Sequence, residues 1–119
     1  MISQTDAADE TVVNPRTGAL AINSVKVEQR KNDAPVLYLQ LFNVAAPTVG
    51  TTAPNHVVEI PAGDPANDHA WLKVVFSGNF GGKYFGTALA YAVTTTHDGA
   101  TGPDAGDEPK VVIDFEPIG

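Results

Sequence analysis

Three histidines, His56, His69 and His97, are the first residues to weigh for chemistry. They stand alone in the chain. Two imidazoles on one strand or helix face need His-x-His or His-Glu-x-x-His spacing, and neither occurs. A metal site would require three distant segments to converge. Oxygen ligands come next. The stretch HDGATGPDAGDEP, residues 97–109, carries Asp98, Asp104, Asp107 and Glu108 among glycines. Such a loop can hold calcium, but the EF-hand pattern of alternating ligands and a closing glutamate is not met. Asp64, Asn67 and Asp68 form a similar, shorter group. Both groups read as solvated hairpin loops, with a calcium site as the alternative for each. No metal or other cofactor is expected.

Nucleophiles are sparse. Ser3, Ser24 and Ser77 are the serines, and none lies in Gly-x-Ser-x-Gly. FSGNFGG, residues 76–82, lacks both the Gly-x-Gly-x-x-Gly spacing of a dinucleotide loop and the Lys-Ser/Thr of a P-loop. Glu59, Asp114 and Glu116 fall on the outward side of alternating stretches, where a carboxylate is ordinarily solvated. The chain is therefore expected not to be an enzyme. Trp71, Tyr38, Tyr84, Phe85 and Tyr91 could supply flat rings to a sugar. Alternation buries most of them, so core packing is the first reading. Trp71 and Tyr84 remain the candidate glycan contacts.

These side chains need elements to carry them, and the signals are those of strands. ALAINSVKVEQ, residues 19–29, places Leu20 and Ile22 on one face; Val25 and Val27 then continue one residue out of phase. Such a slip predicts a bulge near Asn23 and Ser24. VLYLQLFNV, residues 36–44, is apolar at nearly every position, as in a strand covered on both faces. HVVEI ends at Pro61-Ala62-Gly63. AWLKVVF points Leu72, Val74 and Phe76 inward against Trp71, Lys73 and Val75. GNFGGKYFG is punctuated by glycines that allow positive φ or close backbone approach. TALAYAVTTT sets Leu89, Tyr91 and Val93 against small Ala88, Ala90 and Ala92. KVVIDFEP alternates Val111, Ile113 and Phe115 with Val112, Asp114 and Glu116.

Turn signals separate these runs, so the expectation is an all-β, antiparallel β-sandwich of six to eight strands, jelly-roll or Ig-like. Residues 1–18 are polar and acidic and end in NPRTG, with turn formers at Asn14-Pro15 and Thr17-Gly18. They read as an extended N-terminal arm before a single domain at 19–119.

With 119 residues, one domain with a thin core is expected. There is no cysteine, so disulfides and thiolate metal sites are excluded. Fourteen acidic against seven basic residues, a net charge of −7, argue against nucleic-acid binding. Lys26, Arg30 and Lys31 come nearest to a basic patch but are interrupted by Glu28 and followed by Asp33. The N-terminus lacks a Sec-type signal, and no run approaches a membrane span, so a soluble protein without membrane contact is expected.

The stretch YLQLFNVAAPTVGTTAPNHVVEIPAG, residues 38–63, with GTALAYAVTTT at 86–96, resembles a group of small virion structural proteins of tailed bacteriophages and prophages. The matching segments are Tyr38 to Asn43, Ala46 to Pro54, Ile60 to Gly63 and Gly86 to Thr95, about half of the chain. The acidic N-terminus and the long 97–109 loop depart from the pattern. The resemblance implies a capsid decoration or cement protein on the virion surface, made in the host bacterial cytoplasm. Its partners would be the major capsid protein and further copies of itself, as a homotrimer. The residues expected to touch the capsid are Thr11, Val12, Val13, Asn14, Pro15 and Arg16 of the arm, with Pro47, Thr48 and Val49 of the loop. The alternatives are a glycan- or receptor-binding module of a head or tail fibre, and a tail or connector component.

Overall fold

The expected slip in the longest strand is present. In a computed structural model, which describes residues 1–29, 33–63, 70–78 and 81–118, Ile22 pairs with Phe115 while Ser24 pairs with Asp114. Two residues on one strand thus advance against one on the other, and Asn23 is the extra residue of a β-bulge. The bulge keeps Leu20, Ile22, Val25 and Val27 all in the core.

Nine strands are described: β1 (Ile2–Thr5), β2 (Val13–Thr17), β3 (Leu20–Gln29), β4 (Leu37–Phe42), β5 (His56–Ile60), β6 (Ala70–Val75), β7 (Lys83–Phe85), β8 (Ala88–Thr94) and β9 (Lys110–Pro117). No helix occurs among the described residues. One sheet, A, has the order β1-β9-β3-β6, with β7 also paired to β3. The other, B, has the order β2-β8-β4-β5. Every pairing is antiparallel.

The order has a simple origin. The pairs β1·β9, β2·β8, β3·β6 and β4·β5 are successive rungs of one long hairpin. Rolling that hairpin adds β9·β3 and β8·β4 and closes two four-stranded layers. This is the jelly roll, so of the two expected sandwich topologies the jelly-roll one is present. β7 is a three-residue supplement.

The boundary expected at residue 18 has no structural counterpart. Residues 2–5 and 13–17 are extended, but as two paired strands rather than an arm. Ile2 to Thr5 pair with Asp114 to Val111, and Val13 to Thr17 with Tyr91 to Ala88. Ala8, between them, is buried, and its N–H donates to the Pro109 carbonyl at 2.9 Å. A segment too polar to form its own core can still pair its backbone against strands that have one. These two strands bring the total to nine.

The core between the sheets is built from Leu20, Ile22, Val25 and Val27 of β3, Val111, Ile113 and Phe115 of β9, Leu37, Leu39 and Leu41 of β4, and Leu89, Tyr91 and Val93 of β8. The outer faces of the two sheets differ. On sheet B, Gln40, Phe42, Ala88, Ala90, Ala92 and Thr94 are buried too. On sheet A, the outward Ile2, Trp71, Val75 and Tyr84 are exposed.

Candidate functional site

Loops seal the outer face of sheet B, and they do so with specific bonds. Gln40 Nε2 donates to Thr94 Oγ1 at 2.8 Å and to the Gly99 carbonyl at 3.0 Å. Thr95 N–H donates to the Thr101 carbonyl at 2.8 Å. The loop after β8 is thereby folded back over the sheet, where alanines at 88, 90 and 92 leave room for it. The loop after β4 meets it from the other side. A Cβ at Gly50 would lie 2.6 Å from Ala100 Cβ, and Gly50 has φ +87°. Within that loop, Thr51 and Thr52 N–H both donate to the Thr48 carbonyl, at 2.9 and 2.8 Å. Thr48 N–H donates to Thr52 Oγ1 at 3.0 Å. At the loop's start, Asn43 Oδ1 accepts from Thr87 and Ala88 N–H, at 2.8 and 3.2 Å.

The expected capsid contacts fall on this side of the molecule, but several have structural employment. Pro47 is buried, Val49 half-buried and Thr48 exposed. Thr11 is exposed, Val12 half-buried, and Val13 packs on the core. Asn14 Nδ2 donates to the Leu89 carbonyl at 2.7 Å and the Arg16 carbonyl at 3.0 Å. The β2·β8 register shifts between Val13 and Arg16. Pro15 therefore sits in a bulge of an edge strand, where its missing N–H costs no ladder bond. Arg16 curls back over Gly18 (φ +118°), donating from Nη2 to the Ala19 carbonyl at 3.3 Å. Thr11 and Thr48 are the members of the two segments most open to a partner.

The histidines are not brought together. His56 pairs with Leu41 at one end of β4, and its ring meets Phe76 edge-on at 5.2 Å. Burial lowers its pKa from 6.5, and the nearby Lys83 ammonium lowers it further. His97 is exposed at the other end of β4, edge-on to Tyr38 at 6.0 Å. His69, the Asp64, Asn67 and Asp68 group, and Arg30 and Lys31 lie outside the described residues. In the 97–109 loop, Glu108 Oε1 accepts from Gly106 N–H at 2.5 Å, and Asp107 N–H donates to the Asp104 carbonyl at 3.0 Å. Among the described residues no group of three His, Asp or Glu side chains is gathered as for a metal ion.

The two candidate glycan contacts share a face but not a site. Trp71 (52% exposed) stands opposite Glu28, and Tyr84 (49%) opposite Ala21. Those two β3 positions are roughly 20 Å apart at the usual strand rise. Phe85 and Tyr91 are core residues.

What the sequence did not reveal is the company Trp71 keeps. Lys26 of β3 and Lys73 of β6 are direct cross-strand partners, and with Trp71 they border a shallow groove of about 340 Å³. Forty-seven residues separate the lysines in the chain, so only the register joins them. No protein-family model matches the chain, and no curated protein or solved structure matches it either.

Proposed function

We propose that the chain is a non-enzymatic virion structural protein of a tailed bacteriophage: a capsid decoration or cement protein, acting as a homotrimer and binding across neighbouring major capsid subunits. The observation that supports this reading is the convergence of the resemblance-bearing segments. They are separate in sequence, yet β4, β5, β8 and the loop 43–55 form one unit, pinned by Asn43 to Thr87 and Ala88. The unit offers loops already held in shape by their own bonds. Such loops lose little entropy on docking, so more of the contact energy appears as affinity.

The mechanism would be stabilisation by linkage. A protein that binds the assembled lattice better than free subunits shifts the equilibrium toward the shell. Neither a nucleophile nor a cofactor is needed for that. The test is cryo-EM of intact particles at side-chain resolution. The expected result is density for this jelly roll on the capsid lattice, with Thr48 and Thr11 against a capsid subunit. Density confined to the tail or a fibre, or none on the shell, would overturn the reading.

A further inference from the structure

Lys26 and Lys73 are an unfavourable pair as far as the fold is concerned. Residues directly opposite on neighbouring antiparallel strands have their Cβ atoms about 5 Å apart, and like charges there are destabilising. The chain has twice as many acidic as basic residues, so opposite charges are in good supply. Yet neither ammonium makes a salt bridge or a side-chain hydrogen bond among the described residues. On the same face, Glu28 lies two positions along β3, opposite Trp71, and Asp114 lies on β9, two positions from Lys26's partner Val112. Two positive charges therefore stand together on the outer face of sheet A, without an ion-pair partner among the described residues.

Trp71 stands beside them and borders two depressions. On one side is the groove of about 340 Å³ shared with Lys26 and Lys73. On the other is a smaller cleft of about 80 Å³ that reaches Gln29 and Ile60. Gln29 is only 4% exposed. Its Nε2 reaches the Pro61 carbonyl at a long 3.5 Å, and its Oε1 accepts no hydrogen bond among the described residues.

We propose that Lys26, Lys73 and Trp71 form a binding site for an acidic sugar, a carboxylated residue of a glycan. The two ammoniums take the carboxylate, and that anion removes their mutual repulsion. The indole face stacks on the apolar face of the pyranose ring. Gln29 follows Val25 and Val27 on the inward side of β3, behind Trp71, and takes no part in the contact. The larger groove is at the small end of the range for small-molecule sites, which suits one or two sugar rings. Acidic peptides share the anion but bring no ring to stack on the indole. The site does not depend on capsid docking, because it lies on sheet A and the proposed docking loops lie on sheet B.

Trp71 is the only tryptophan, so intrinsic fluorescence reports directly on the site. The experiment titrates the purified full chain with three acidic probes: tri-galacturonic acid, sialyllactose and a heparin-derived hexasaccharide. Maltotriose and a hexaglutamate peptide serve as controls. The expected result is a saturable fluorescence change with at least one acidic sugar, and none with maltotriose. Affinity should fall at least about tenfold in K26Q/K73Q, the scale of losing a charge-assisted contact. NMR chemical shifts supply the readout for W71A, in which binding should be lost. All three side chains are exposed, so circular dichroism should show both variants folded. No saturable response to any acidic sugar would overturn the proposal. So would equal binding of maltotriose, or hexaglutamate binding that survives W71A, which would point instead to an acidic protein surface.

Discussion

The Tyr91 hydroxyl lies 2.6 Å from Thr5 Oγ1 and 3.0 Å from Ser3 Oγ, joining β8 of one sheet to β1 of the other. Tyr91 is fully buried. A phenol in an apolar core must place its O–H against a partner, and here the partners come from the N-terminal strand. The Tyr91→Phe variant keeps the ring and removes the bond. It should cost about 1–2 kcal/mol, which lowers the melting temperature by about 4 °C per kcal/mol for a domain of this size. The loss should be uneven, with amide protection in β1 dropping first. A variant that melts with the wild type, with β1 protection intact, would show that the hydroxyl adds nothing net.

Removal of residues 1–18 should abolish cooperative folding. These residues supply β1 and β2, two of the eight strands of the jelly roll. Without them β9 and β8 become bare sheet edges, and Tyr91 loses both hydroxyl partners. Exposed apolar edges invite pairing between chains. The truncated chain should be aggregated or lack a sharp thermal transition by circular dichroism. A soluble product with a single cooperative melt would mean that the six remaining jelly-roll strands suffice.

Alternation made most of this fold legible. Leu72, Val74 and Phe76 face in and Trp71, Lys73 and Val75 face out, as their spacing requires, and the slip after Ile22 is a bulge. The unbroken apolar run at 36–44 marks a strand buried on both sides, because loops cover its second face. The two N-terminal strands were hidden for a physical reason. Ser3 and Thr5 face the core, but they satisfy their hydroxyls on Tyr91 instead of burying apolar surface. A polar residue matched to one buried phenol leaves no periodic signal. The Lys26–Lys73 pair was hidden for another reason: it exists only through the β3·β6 register, which local sequence does not encode.

His56 should give the protein a mild acid sensitivity. Its pKa is lowered in the fold by burial and, second, by the Lys83 ammonium. The unfolded chain therefore binds the proton more tightly than the folded one, and stability rises with pH across the interval between the two values. The contribution is whole above the unfolded value of 6.5 and is lost as pH falls from there to the lowered folded value. Urea midpoints measured from about pH 8 to about pH 5, the range in which histidine titrates, should fall more for the wild type than for His56→Gln. Lys83→Gln should shrink the drop without removing it, since burial is the larger cause. Parallel profiles for wild type and His56→Gln would remove His56 as the source.

Gly50 fixes how the two covering loops meet, and it does so for two separable reasons. Its φ of +87° disfavours any side chain, and a Cβ would collide with Ala100. Gly50→Ala should therefore destabilise by about 1–3 kcal/mol, the usual range for a strained backbone position. Ala100→Gly removes the atom that the new methyl would strike but leaves the backbone strain. In the double variant the steric part of the loss should return and the conformational part should remain, giving a coupling of at least about 0.5 kcal/mol in a double-mutant cycle. Chemical-shift changes in Gly50→Ala should concentrate in residues 48–52 and 97–102 and spare sheet A. Because the strain falls on loops over sheet B, the jelly roll itself should persist. Capsid occupancy by Gly50→Ala then tests the docking surface without unfolding the protein: undiminished occupancy would move the contact away from these loops. If the two substitutions instead prove additive, the loops do not meet at Gly50 and Ala100.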